Sequence, residues 1–303
     1  MRGIQSKNTV HGWLILDKPQ GLTSTQALGK ARRLLGGNKV GHGGTLDPLA
    51  TGILPLAFGE ATKLVSYVLD GDKDYEFTVR WGEARDTEDA EGKVIAVSDH
   101  RPTTQAIEQS LPHFVGAITQ TPPAYSAIKI EGQRAYDIAR AGGEPEMTPR
   151  PVFIRSLSLI DSPDADHSRF RVSCGKGMYV RSLARDLAVK LGTYGHIAQL
   201  RRTRVGRFGL DHAISLAKLE ELSHNDAALT GLLALRRALD DIPGLTLTAS
   251  EAQRLRAGQG LLIRPHQGDL CDAKLIFAEH QGVPVALVEP AAGEFRVVRG
   301  FHF

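Results

Sequence analysis

Cysteine is scarce in this chain. Cys174 and Cys271 stand far apart, so neither a disulfide framework nor a paired-cysteine zinc motif can be built from them. A reducing compartment, the cytoplasm, is expected. Long apolar runs are missing too. Ile53–Phe58, among the most apolar stretches, is far too short to cross a membrane. Met1–His11 is polar and lacks the apolar stretch of a secretory leader. Charge of one sign is also missing: 37 Lys and Arg face 34 Asp and Glu, a formal net charge of +3. Alone, that total does not imply a nucleic-acid partner. There is no HExxH and no Gly-Lys-Ser/Thr of a P-loop, and Leu46 occupies the place where a dinucleotide fingerprint needs glycine. What remains is a chain of 303 residues, 42% hydrophobic and 23% charged, the composition of a globular protein with a packed core.

The pattern along the chain is α+β, dominated by antiparallel sheet. Gly12–Asp17 (GWLILD) predicts a strand ending in the turn Lys18–Gly21. Thr23-Ser24 would cap a helix over Thr25–Leu35, and a glycine-rich loop would run from Gly36 to Thr45. In Lys73–Trp81 the residues Tyr75, Phe77, Val79 and Trp81 alternate onto one strand face. The acidic stretch Gly82–Gly92 reads as a loop, and Gln120–Lys129 cannot be regular throughout because of Pro122 and Pro123. Helices are predicted over Thr103–Leu111, Gly132–Gly142, Ser182–Leu191 and Leu232–Leu239, and strands over Val152–Ile160, Ser168–Cys174 and Gln199–Leu210. Asp240–Leu245 reads as a connector. From about residue 246 short strands dominate, which sets off a small C-terminal β-rich domain (246–303) from a larger body (1–245).

Chemistry can sit in Gly41–Gly52 (GHGGTLDPLATG), where glycines let backbone approach a partner closely. Asp47 has two readings. Followed by Pro48, it is a good N-cap for a helix; at a glycine-rich turn, it is a carboxylate suited to attack an electrophilic carbon. His42, between glycines, has no obvious helix or strand face to satisfy, and a protruding imidazole could stack on or displace a base. Tyr75 reads either as a core aromatic or, first on its stripe, as a platform for an extruded base. Arg181 stands just before a predicted helix, where a cation is unfavourable, so an anion such as Asp47 or a phosphate is expected beside it. The alternative is a surface arginine with its stem on apolar atoms. Leu200–Phe208 carries Arg201, Arg202, Arg204 and Arg207, which reads as a solvated basic strand or as a phosphate-contacting ridge.

These residues resemble a known family. Gly41–Gly52, continued by Ile53-Leu54-Pro55 and Gly59–Lys63, is similar to the signature of the TruB family of bacterial tRNA pseudouridine-55 synthases. Asp17-Lys18-Pro19 with Gly21–Ser24, Lys73-Asp74-Tyr75, and Asp86-Thr87, Asp89 and Gly92 resemble further motifs of that family. So do Gln120–Lys129, Tyr136 with Ala139-Arg140, Gly177–Asp186, and Leu200–Thr203. In this order they cover roughly residues 12–208.

The resemblance implies the pseudouridine synthase α+β fold with a central antiparallel sheet, a thumb-like segment at about 120–151, and a PUA-like C-terminal domain on RNA. It implies tRNA, through its T stem-loop, as partner, and a monomer is expected. The implied reaction breaks the bond from uracil N1 to C1′, turns the base, and joins C5 to C1′, with no metal or cofactor. Asp47 would be the nucleophile and Arg181 its salt-bridge partner. Tyr75 would stack on the flipped uracil and assist proton transfer from C5. His42 would enter the T loop where the base has left, and Tyr179, Leu200 and Arg202 would bind the flipped nucleotide. An adduct at uracil C6, an ester at C1′ and a glycal all stay open as intermediates. Gly43 departs from the family, where threonine is frequent, and suggests a looser loop. Two other classes compete: a non-catalytic RNA-binding module or tRNA-folding chaperone, and a retaining glycosidase-like hydrolase, which needs a second carboxylate.

Overall fold

The computed structural model describes residues 10–37, 39–225, 227–239 and 241–303. The polar stretch up to Thr9 and the first residue of the 240–245 connector therefore lie outside the described residues. The central sheet runs in the order Ile214–Ser215, Gly12–Lys18, Thr51–Phe58, Gly195–Val205, Lys73–Trp81, His167–Cys174, Arg150–Asp161, Gly116–Gln120. Two of these junctions are parallel, Gly12–Lys18 with Ile214–Ser215 and Thr51–Phe58 with Gly195–Val205. The rest are antiparallel, so the sheet is mixed with an antiparallel majority.

Burial on both faces explains the apolar runs at the start of the chain. Leu14 and Leu16 point into one core and Trp13 and Ile15 into another; across the pairing, Leu54, Leu56 and Phe58 join the first and Ile53 and Ala57 the second. Several helices cover the first core, two of them beside the loop that carries Asp47. Ser24–Leu35 buries Ala27, Ala31 and Leu35, and Val180–Lys190 buries Leu183, Leu187 and Ala188. Thr23 caps the former in a reciprocal box with Gln26, and Gly36, at φ 72°, ends it. The second core is shared with the end of the chain: Trp13, Val205 and Phe208 pack with Leu235, Leu239, Phe277, Leu287 and Phe301.

The C-terminal part is a five-stranded sheet, Gly244–Thr246, Ile276–His280, Val283–Ala291, Glu294–Gly300 and Leu261–Leu262, with the helix Ala249–Arg256 over it. Its first strand begins at Gly244, so the boundary expected after 245 cuts a strand; turn-like composition at 240–245 hid the pairing with Phe277–Glu279. Four other expectations change. Glu83–Arg85, inside the acidic stretch read as a loop, is a strand paired with Val94–Val97. Val40–His42, inside the predicted loop, pairs with Leu56–Phe58. The helix predicted over 232–239 is a single 3-10 turn, Leu235–Ala238, because Leu233 exchanges backbone hydrogen bonds with Trp13 at 2.7 and 2.8 Å. Gln133–Arg134 is a strand, and its helix is confined to Ala135–Arg140. Among the described residues, no helix is long and apolar enough to cross a membrane.

Candidate active site

The segment from Gly43 to Ala50 has no regular structure, so its shape depends on hydrogen bonds from elsewhere. Buried Ser24, at the first turn of its helix, accepts from the Leu46 N–H at 2.8 Å and donates to the Leu46 carbonyl at 3.1 Å. The Lys18 ammonium, fully buried, donates to the carbonyls of Pro19, Leu22 and Pro48 at 2.9, 2.8 and 3.4 Å. The Gly21 N–H reaches the Pro48 carbonyl at 2.8 Å. From the facing strand, Arg202 donates to the carbonyls of Ile53, Thr45 and Gly44 at 2.8, 3.2 and 3.1 Å. The strand carrying Arg202 passes so close that a Cβ on Gly52, at φ 100°, would lie 2.1 Å from the Arg202 carbonyl. Glycine is required there. Gly43 does not loosen the loop: a Cβ at this position would come within 2.8 Å of Val68 and 3.4 Å of Pro55, so the backbone is packed.

Held in this way, Asp47 is no helix cap. After Pro48 the chain bends and enters the strand Thr51–Phe58. The Asp47 carboxylate, 37% exposed, instead meets Arg181, whose Nε lies 2.9 Å from Oδ2 and whose side chain is 6% exposed. Arg181 lies in the first turn of Val180–Lys190, and the anion expected there is Asp47. The other guanidinium nitrogens are engaged by the carbonyls of Thr87 at 3.0 Å and Tyr125 at 2.9 Å. A second carboxylate, Asp89, stands 3.9 Å from Arg181 Nε. Asp89 is buried and accepts from the Thr87 hydroxyl at 2.6 Å and the Glu91 N–H at 3.1 Å. The acidic loop is thus folded against the site. The Glu91 carboxyl is pushed up by burial and then by Asp89 and Asp47.

Tyr75 is half-buried and packs against the first core, ahead of buried Phe77, Val79 and Trp81. Its hydroxyl is raised by burial against the pull of Arg202, so the phenol keeps its proton at neutral pH. Burial pushes the Lys18 ammonium down to about 8, against the pull of Asp47. His42 is half-buried, its Nδ1 has no partner among the described residues, and burial followed by Arg202 lowers its pKa. It sits on a strand, which corrects the expectation of an unsupported loop imidazole. Tyr179 caps the Arg181 helix; Gln120 accepts from its N–H at 2.8 Å and donates to its carbonyl at 3.1 Å, and the Arg150 guanidinium lies 5.2 Å over its ring. Leu200 is 8% exposed and borders a cavity of about 340 Å³ with Leu49, Thr51, Phe77 and Arg201, which Asp47, Tyr75, Tyr179 and Arg181 do not line.

The four arginines of the basic run meet different partners. Arg202 is 2% exposed, and its guanidinium clamps the Asp47 loop through the Ile53, Thr45 and Gly44 carbonyls. Arg201 is paired with Asp17 at 2.8 Å, Arg204 with Asp74 at 2.6 Å, and Arg207 with Asp241 at 3.4 Å. Lys18, Ser24, Thr87 and Asp89 are contributors that residue-by-residue reading passed over. Lys18 had one available signal, a charge where a buried strand meets a turn; Asp89, in an acidic stretch between half-buried and exposed strands, had none.

Comparison with known proteins gives a consistent result. Residues 32–180 match the model of the TruB family pseudouridylate synthase N-terminal domain, and residues 181–242 that of the tRNA pseudouridylate synthase B C-terminal domain. The chain is 51% identical to tRNA pseudouridine synthase B of Bradyrhizobium diazoefficiens, over 98% of this chain and 88% of the relative. It is 49% identical to that of Rhodospirillum rubrum, over 96% of each, and 49% identical to that of Caulobacter vibrioides, over 97% of each. Among solved structures, it resembles a chain of a Cbf5-Nop10-Gar1 complex with a TM-score of 0.71 at 23% identity, over 99% of this chain and 87% of that one. A chain of an H/ACA RNP bound to a substrate RNA containing 2′-deoxyuridine also gives 0.71, at 21% identity, over 100% and 88%. At such identities the likeness speaks for the fold alone.

Proposed function

The chain belongs to the TruB family of pseudouridylate synthases, and from that premise we propose that it is a tRNA pseudouridine synthase that converts the T-loop uridine with Asp47 as nucleophile. The observation that carries this reading is the Asp47–Arg181 pair, 2.9 Å apart, with the cation buried and the carboxylate open to the outside. A carboxylate fixed by a buried guanidinium is oriented before substrate arrives, so little reorganisation accompanies attack. The target base must leave its stack to reach Asp47. In the reaction, the uracil N1–C1′ bond breaks, the base turns, C5 joins C1′, the C5 proton leaves and N1 gains one. Composition is conserved and no electrons are exchanged with a partner.

Around Asp47, the protonated Tyr75 supplies an aromatic face for the flipped uracil. Tyr179, fixed through its backbone by Gln120, borders the nucleotide with the Leu200 backbone. His42, neutral at physiological pH because burial lowers its pKa, fills the gap in the T loop without adding charge. The C-terminal sheet from Gly244 onward is read as a PUA-like domain that contacts the same tRNA. The enzyme works as a monomer in the cytoplasm, where Cys174 and Cys271 stay reduced.

The test is pseudouridine formation at the T-loop uridine of an unmodified tRNA transcript, wild type against Asp47→Asn. Product with wild type and none with a folded, RNA-binding variant is the expected result. Equal modification by both would make Asp47 structural. Release of free uracil would replace the isomerase by a hydrolase.

A further inference from the structure

The loop that faces Arg181 contains a residue in a conformation side chains avoid. Glu88 has φ 62°, in the left-handed region that a residue with a Cβ rarely adopts. Such a conformation persists when its surroundings over-determine it. Here they do. The Glu88 carbonyl accepts from the Ile197 N–H at 3.0 Å and its own N–H reaches the Arg85 carbonyl at 3.0 Å. Its side chain, 14% exposed, is ion-paired to Arg185 and receives the Ser182 hydroxyl at 3.4 Å. Arg185 and Ser182 follow Arg181 on the same helix, and both also donate to the Thr121 carbonyl, at 2.9 and 2.8 Å. The two neighbours of Glu88 are the groups that meet Arg181, the Thr87 carbonyl on one side and the Asp89 carboxylate on the other.

We propose that Glu88 is a positioning residue for the reaction: anchored by Arg185, it holds the left-handed turn that aims Thr87 and Asp89 at Arg181, and so sets the Arg181–Asp47 pair. Arg185 is the other half of the device. The anchor lies one helical turn along from Arg181, so loop, helix and the Thr121 backbone are fixed by one guanidinium. The inference rests on the reading of Asp47 as the reacting group.

The full-length chain tests it through Glu88→Ala, Glu88→Gly, Arg185→Met and the double variant Glu88→Ala/Arg185→Met. Glycine accepts the left-handed turn without strain, so Glu88→Gly keeps the test open where alanine impairs folding. Two readouts are needed: the single-turnover rate at saturating tRNA transcript, with KM, and solvent exchange of the Arg181 Nε–H in protein labelled with 15N-arginine. We expect each single variant to lose about tenfold or more in rate with KM changed less than about twofold, and the double variant to be no worse than the singles, because the two residues act as a unit. Exchange at Arg181 should quicken in each. A folded Glu88→Gly with wild-type rate and wild-type exchange overturns the proposal, as does strictly additive loss in the double variant. If wild type makes no pseudouridine yet Arg181 exchange responds to Glu88→Gly, the positioning role stands and the assigned reaction falls.

Discussion

Arg181 reaches Asp47 through Nε and two backbone carbonyls, those of Thr87 and Tyr125, through its remaining nitrogens. Each contact has its own direction, and a planar guanidinium satisfies all three where an ammonium cannot. Arg181→Lys should therefore keep the charge but lose the geometry. We expect the rate of pseudouridine formation to fall on the order of 100-fold, about 3 kcal/mol, with RNA affinity little changed. Single-turnover kinetics beside a binding titration decide it; a variant within a few-fold of wild type would mean that charge alone suffices.

Arg202 gives a contrasting outcome. It clamps the Gly44, Thr45 and Ile53 carbonyls from a buried position. Arg202→Met leaves them without that donor and should cost about 2–4 kcal/mol of stability, seen as a lowered denaturant midpoint. Because Arg202 touches no phosphate in this reading, the slope of RNA affinity against salt should stay as in wild type. A slope reduced by about one would restore the phosphate-contact reading.

Lys18 makes stability depend on pH in a defined window. In the folded chain it releases its proton at about 8, whereas its ordinary value is 10.5. Between these values the unfolded chain binds more protons, so this residue's contribution makes stability rise with pH from about 8 to 10.5. Below about 8 the buried charge is a standing penalty. Denaturant titrations at a series of pH values should show that rise in wild type and its loss in Lys18→Met. Parallel curves for the two proteins would show that Lys18 keeps an ordinary affinity for its proton.

The C-terminal sheet should not melt separately. Phe277, Leu287 and Phe301 share a core with Trp13 and Phe208, and the tail is fastened further by Lys63 donating to the Gly300 carbonyl at 2.8 Å and the His302 N–H to Glu60 at 2.9 Å. Scanning calorimetry should give one cooperative transition with equal calorimetric and van't Hoff enthalpies. Phe301→Ala, at a site 1% exposed, should lower that single transition by the equivalent of about 3–5 kcal/mol. Two transitions in wild type would mean that the shared core does not couple the parts.

What was legible in the sequence were features with a local period or a local cost. The alternation from Tyr75 to Trp81 specified a strand and its buried face. The unfavourable place of Arg181 at a helix start pointed to an anion, and Asp47 is that anion. What stayed hidden depends on a partner remote in sequence. Arg202 looks like its neighbours in a basic run, yet its partners are backbone carbonyls, 149 residues away in the case of Ile53, and carbonyls carry no residue signature. His42 became a strand residue only because Leu56 pairs with it. The segment 232–239 has helical spacing, but the Trp13 backbone competes for Leu233 and wins.

The loop that carries Asp47 has a further consequence in the order of synthesis. Its supports, Ser24 and Lys18, leave the ribosome early, but Arg181 and Arg202 come out far later. Until then a nascent chain displays its carboxylate on a tether lacking half of its fastenings. Long-range closure of this kind comes late in assembly. Asp47 and its two arginine supports therefore come together only once the chain has been made as far as Arg202.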